Sequence, residues 1–206
     1  MNKRTLMAAC VAATAGLVLA ACSTFTPPTK QETQAVVKSS FSERSIAKLD
    51  RLEQNEIQTI CSDTRDNPSK EQVAKIEKLA TATIRYPADG KFLGDWKAGE
   101  RVAQSGVGMQ WSDNDKTVNG GNCYACHQID KKEISFGNIG PSLNQYGKLR
   151  GNSEPILKYT WGKIWNSHAF TACSQMPRYG DAKILTEQQI RDVMALLLDP
   201  ASPVNQ

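Results

Sequence analysis

The chain has 206 residues, 40% of them hydrophobic and 22% charged, with a formal net charge of +4. That balance excludes a chain disordered throughout and leaves room for one ordinary domain with an extension, or two small ones. Its 25 Lys and Arg residues are interspersed with 21 Asp and Glu, a pattern that argues against a nucleic-acid-binding face.

In chain order, MNKR is a short basic head, followed by TLMAACVAATAGLVLAA. This apolar run is too short and alanine-rich to span a membrane comfortably, and it reads as an export signal. It closes on LAAC, residues 19–22, where small residues precede Cys22. That stretch resembles the lipobox of bacterial lipoproteins, in which the cysteine is lipidated and becomes the mature N-terminus. Cleavage after Ala20 with Cys22 incidental is the alternative. Either way the expected compartment is periplasmic, with lipid anchoring through Cys22 in the first case, and it is oxidising enough for disulfides. The signal is assigned residues 1–21.

STFTPPTKQETQ is polar, carries two prolines and predicts a tether over 22–42. From 43 to 85 two amphipathic helices are expected as a hairpin extension. The first places Ile46, Leu49, Leu52, Ile57 and Ile60 at near-helical spacing; the second, after the DNPSK turn, carries Val73, Ile76, Leu79 and Ile84. YPADGKFLGD is a turn-rich junction that opens the second region, 86–206. There WKAGERVAQSGVG predicts a short helix closed by Gly106. SEPILKYTWGKIWN predicts another, with Ser153 as N-cap and Leu157, Trp161 and Trp165 on one stripe. LTEQQIRDVMALLLD predicts a third, with Thr186 and Gln189 spaced for a capping box. No strand pattern or internal repeat stands out, and the expected class is all-α.

Between these helices lies NCYACHQ. Two cysteines separated by two residues reach the two vinyl groups of haem as thioethers, and the adjacent histidine can ligate the iron. A zinc site would need further paired ligands, and the chain offers only His168 and the distant Cys61 and Cys173. A thioredoxin-like pair expects a βαβ setting, which is missing. One covalent haem c is therefore expected, attached at Cys123 and Cys126 with His127 on the iron.

Candidates for the sixth iron ligand are His168, Cys173, Met176 and Met194. Met194 lies on the apolar stripe of the last helix and reads as core, and His168 reads as a surface loop residue. Met176, in CSQMPRYG, is the favoured ligand: Pro177 stiffens the backbone just after a pliable thioether. The carbonyl of Pro141, in NIGPSL, is expected to accept from His127 Nδ1 and hold the ring. Of the remaining cysteines, Cys61 and Cys173 are expected to pair. Closing a loop of about 110 residues would be worth roughly 4–5 kcal/mol in the chain-entropy model. Cys173 as a free thiol or iron ligand is the alternative.

Taken together, NCYACHQ, GNIGPSL, MPRYG and ILTEQQIRDVMALLLDPASPVN resemble the SoxX subunits of the SoxAX cytochromes of bacterial thiosulfate oxidation. YPADGKFLGDWKAGE and AQSGVG resemble the entry to the haem domain of longer SoxX proteins. The resemblance spans 86–206 well and 43–85 more loosely. It implies a fold similar to class I cytochrome c over 86–206, with Gly99 allowing close approach of the last helix. It implies a heterodimer with a SoxA-type cytochrome subunit, in which SoxA carries the sulfur chemistry of an L-cysteine S-thiosulfotransferase. Thiosulfate is joined oxidatively to a cysteine of the SoxYZ carrier, and this subunit passes the electrons to a downstream cytochrome or similar acceptor without being catalytic alone. A free-standing electron carrier, or a haem enzyme with a displaceable Met176, are the alternatives.

Overall fold

The computed structural model describes residues 26–206; the expected export signal and Cys22 fall outside them. The chain divides into two compact units, Met1–Ser42 and Glu43–Gln206. Within the first, the expected tether contains a helix, α1 (Lys30–Ser40), none of whose residues is buried. Its start is fixed by a capping box: Thr29 accepts from the Glu32 amide, and the Glu32 carboxylate accepts from the Thr29 amide at 2.7 Å. Such reciprocal satisfaction of otherwise orphaned donors starts a helix even in a polar stretch.

In the second unit the predicted hairpin forms, with one shortened arm. The first helix, expected from residue 43 onward, begins only at Glu56: α2 spans Glu56–Thr64 and α3 spans Lys70–Thr81. Upstream lie an isolated bridge between Arg44 and Ala47 and a single 3-10 turn, Leu49–Leu52. The cause is local. Asn55 and Gln58 form a capping box that sets the α2 start, as Ser69 and Gln72 do for α3, and Leu49 remains exposed. Ile57, Cys61, Ile76 and Ala80 of the hairpin pack with Cys173 in a small core of their own.

The larger core is built from the remaining helices: α4 (Trp96–Gln104), α5 (Tyr146–Arg150), α6 (Glu154–Trp165) and α7 (Glu187–Leu198). The predicted Thr186/Gln189 capping box is present on α7. Ser153 sits at the N-cap of α6 but makes no side-chain cap bond. Along α7, Ile190, Val193, Met194, Leu196, Leu197 and Leu198 are buried. Each such side chain contributes roughly 1.5–3 kcal/mol on leaving water.

Helices α4 and α7 form the closest seam of the fold. A Cβ at Gly99 would lie 2.0 Å from the Asp192 carbonyl oxygen, so only glycine permits this crossing. The buried Asp192 carboxylate accepts from the Asp95 amide at 2.9 Å and from Gln188 Nε2 at 2.8 Å, locking the start of α4 against α7. On α6, Trp161 donates to the Arg85 carbonyl at 2.7 Å and Trp165 to that of Thr83 at 2.9 Å, which fastens the hairpin's exit to the larger core. Residues 43–85 thus belong to the same compact unit as 86–206. Among the described residues there is no strand beyond the one isolated bridge, and the all-α class stands.

Candidate functional site

CYAC folds as a 3-10 turn, Cys123–Ala125, entered through Asn122 in the left-handed region at φ 48°. Short-range bonds close it: the His127 amide donates to the Cys123 carbonyl at 2.9 Å, and that of Cys126 to the same oxygen at 3.1 Å. The turn is also sewn to its surroundings. The Gly121 amide donates to the Val102 carbonyl at 2.7 Å and that of Asn122 to Ser105 at 2.9 Å, so the end of α4 sets its position. Buried Tyr124 reaches back with its phenol to Glu100 at 3.0 Å, and desolvation with the nearby carboxylate raises its pKa.

His127 is held from both sides. Its Nδ1 lies 2.7 Å from the Pro141 carbonyl oxygen. Since that oxygen can only accept, Nδ1 carries the proton and Nε2 keeps its lone pair for a metal. Gly140 passes against the ring: a Cβ there would sit 2.2 Å from its Cε1. The Gly140 amide donates to the Cys126 carbonyl at 2.8 Å, so the backbone that supplies Pro141 is anchored on the turn itself.

Cys123 and Cys126 are free and half-buried. Burial pushes the Cys123 thiol up to about 12, which makes it a poor thiolate and disfavours a disulfide-exchange role. Two unpaired thiols, a histidine with only Nε2 available and a glycine-lined approach are the donor set a covalent haem needs. Cys123 also borders the larger apolar core, and so does Met176.

Met176 lies on the loop between α6 and α7. Its carbonyl accepts from Ser167 Oγ at 2.6 Å, and its amide donates to Ser174 Oγ at 3.2 Å. Beyond Pro177, the Tyr179 amide bonds the Ile164 carbonyl at 3.2 Å, and its phenol donates to the Gly121 carbonyl beside the CYAC turn. Tyr179 therefore couples the methionine loop to the attachment turn. Nothing in the sequence pattern pointed to Tyr179, Ser167 or Gly140: Tyr179 acts across 58 residues, and Ser167 and Gly140 act through backbone contacts that leave no mark in composition or periodicity.

Cys173 is joined to Cys61 in a disulfide across a separation of 112 residues, so its sulfur is engaged there and not at a metal. Met194 is fully buried in the larger core. His168 departs from expectation. It is not a surface residue but 9% exposed, and its Nδ1 has no hydrogen-bond partner. Burial lowers its pKa, with Arg178 and Lys163 adding to the effect. It lines a cavity of about 220 Å³ together with Cys61, Asp66, Cys173 and Gln175. The hairpin that buries it is remote in sequence, so its spacing carried no signal.

Among the described residues no helix is long and apolar enough to cross a membrane. Residues 113–199 match the family model of cytochrome c. An uncharacterized lipoprotein of Aquifex aeolicus (strain VF5) is 37% identical over 184 residues, covering 86% of this chain and 84% of that relative.

Proposed function

The chain belongs to the cytochrome c family, binds haem c covalently and carries an electron-transfer domain, and from that premise we propose that it is the electron-accepting subunit of a SoxAX-type complex. Cys123 and Cys126 would hold the haem, His127 and Met176 would bind its iron, and the Pro141 carbonyl orients His127. When bound, the iron supplies a centre that takes up and returns one electron.

The observation that carries the electron-transfer role is that two residues able to bind iron, His127 and Met176, are each held in place by the fold. His127 is tied through Nδ1 to Pro141, and Met176 sits on a loop fastened on both sides of its sulfur. With His127 and Met176 both on the iron there would be no open position for substrate, and donors held this firmly would suit an iron that changes oxidation state with little rearrangement. A thioether opposite histidine raises the potential and favours acceptance of electrons.

The finer reading rests on the combination of NCYACHQ, GNIGPSL, MPRYG and DPASPVN. In that scheme thiosulfate is coupled to a SoxYZ cysteine on the partner SoxA subunit, and the two electrons released leave one at a time through this haem to a downstream cytochrome. The loops flanking the attachment turn also expose Trp111, Val118, Ile134 and Ile139. Apolar side chains left in water there suit a lasting partner more than a transient one. The name of the Aquifex relative agrees with export and with lipidation at Cys22.

Purification of the native protein from its source membranes tests the assignment. A second c-type cytochrome is expected to co-purify, and thiosulfate with the carrier should reduce this haem only when that partner is present. A monomer that is reduced equally well without it is a free-standing carrier. Replacing Met176 with Ala is expected to abolish the thioether–iron(III) charge-transfer band and lower the potential. Mass spectrometry of the mature N-terminus decides between a lipidated Cys22 and cleavage after Ala20.

A further inference from the structure

The disulfide lies close in sequence to the proposed sulfur ligand. Cys173 stands three residues before Met176 and is itself in the left-handed region at φ 54°, where the chain reverses into the methionine loop. Its partner Cys61 is on α2, in the small core formed by Ile57, Ile76 and Ala80. A second tie runs in parallel: Gln175 Nε2 donates to Asp66 Oδ2 at 3.0 Å, just past the end of α2. Ala169 and Ala172, also on this loop, pack against the same small core. The segment before Met176 is thus attached to the hairpin at each of these places, and to α6 through the bond from Lys163 Nζ to Thr171 Oγ1 at 2.7 Å and the packing of Phe170 on Tyr159.

We propose that the helical hairpin is a clamp, and that the Cys61–Cys173 disulfide is its positioning element, holding the Met176 sulfur within reach of the haem iron. The proposal rests on the reading of Met176 as an axial ligand and assigns the hairpin a task in electron transfer. The physical reason is effective concentration. A thioether is a weak ligand, and its occupancy depends on how narrowly the chain confines it. With the disulfide closed, the loop is fixed on both sides of the sulfur, by Cys173 before it and by the Tyr179 bonds after it. With it open, the residues next to the sulfur lose their one covalent tie to the hairpin and keep there the alanine packing and the Gln175–Asp66 bond, while the ties of Phe170 and Thr171 to α6 lie further from Met176, and the sulfur leaves ferric iron more often. Loss of the thioether removes the ligand that raises the potential, so opening this bond turns the haem into a poorer electron acceptor. Both cysteines, though largely buried, line a cavity of about 220 Å³.

The test compares the ferric holoprotein with its Cys61→Ser/Cys173→Ser variant. A parallel wild-type sample is reduced with a dithiol, alkylated and reoxidised, so that a folding defect in the variant leaves a second route. Loss or clear weakening of the thioether–iron(III) band, a fall in potential and faster amide exchange over 172–178 are expected in both, with exchange over 123–143 unchanged. Ile76→Ala supplies the control: it weakens the small core while keeping the disulfide, and it should lower thermal stability and leave the band intact. An unchanged band and potential in the opened protein overturns the clamp, as does equal loss of the band in Ile76→Ala. A wild-type ferric protein that lacks the band sinks the Met176 assignment itself, and the clamp with it.

Discussion

The loop that carries His127 and the loop that carries Met176 are secured by different kinds of contact. Around His127 the bonds are mostly local: Cys123 with Cys126 and His127, Cys126 with Gly140, Pro141 with the imidazole. Around Met176 the short-range bonds to Ser167 and Ser174 are joined by ties that reach across the chain, to Cys61, to Asp66 and, through Tyr179, to Gly121. A locally closed turn draws its internal geometry from near neighbours, and here only its placement depends on the end of α4. A loop held by distant partners acquires its geometry only when the whole unit is in place. The molecule therefore has one proposed ligand, His127, preset by near neighbours and another, Met176, whose position reports on the integrity of the unit.

The largest expected effect removes the preset side altogether. In Cys123→Ser/Cys126→Ser no haem should remain with the polypeptide after denaturing electrophoresis, whereas the wild type retains it. Gly140→Ala comes next. The added carbon collides with the His127 ring, and overpacking of this kind costs about 1–3 kcal/mol, to be read from chemical denaturation of the holoprotein. The contrast sharpens if the same variant leaves amide exchange over 172–178 unaltered. Ser167→Ala acts on the other side. It deletes the buried hydroxyl that donates to the Met176 carbonyl and should cost about 1 kcal/mol, with the loss concentrated in the methionine loop.

The smallest effect concerns pH. Burial lowers the His168 pKa below its ordinary 6.5, so the unfolded chain binds that proton more tightly than the folded one. Its contribution to stability is complete above about pH 6.5 and declines as the pH falls below that value toward the lowered one. His168→Gln should flatten this slope in denaturation midpoints measured across the range.

The same division explains what could be read from the residues alone. NCYACHQ and Pro141 were legible because thioether attachment and the histidine's support demand fixed local spacing. The α7 start was legible because Thr186 and Gln189 satisfy donors within one turn. The start of α2 was not, since apolar spacing continues upstream of Asn55 and masks the cap that overrides it. Helix α1 hid behind two prolines and a polar composition, although Thr29 and Glu32 were there to be seen. His168 looked like a surface residue because nothing nearby in sequence announces the hairpin that covers it. Ser167 and Tyr179 hold the methionine loop through partners that no periodicity reveals.

The disulfide also gives the molecule a covalent topology. Cys61 and Cys173 close the backbone into a ring that contains the attachment turn, His127 and Pro141, and leaves Met176 outside on the exit strand. One proteolytic cut anywhere between 62 and 172 opens the ring without releasing a piece. A cut between Cys173 and Met176 instead sets free the whole C-terminal segment, α7 included. Around the CYAC turn the chain survives a nick in one piece, and just before Met176 it does not.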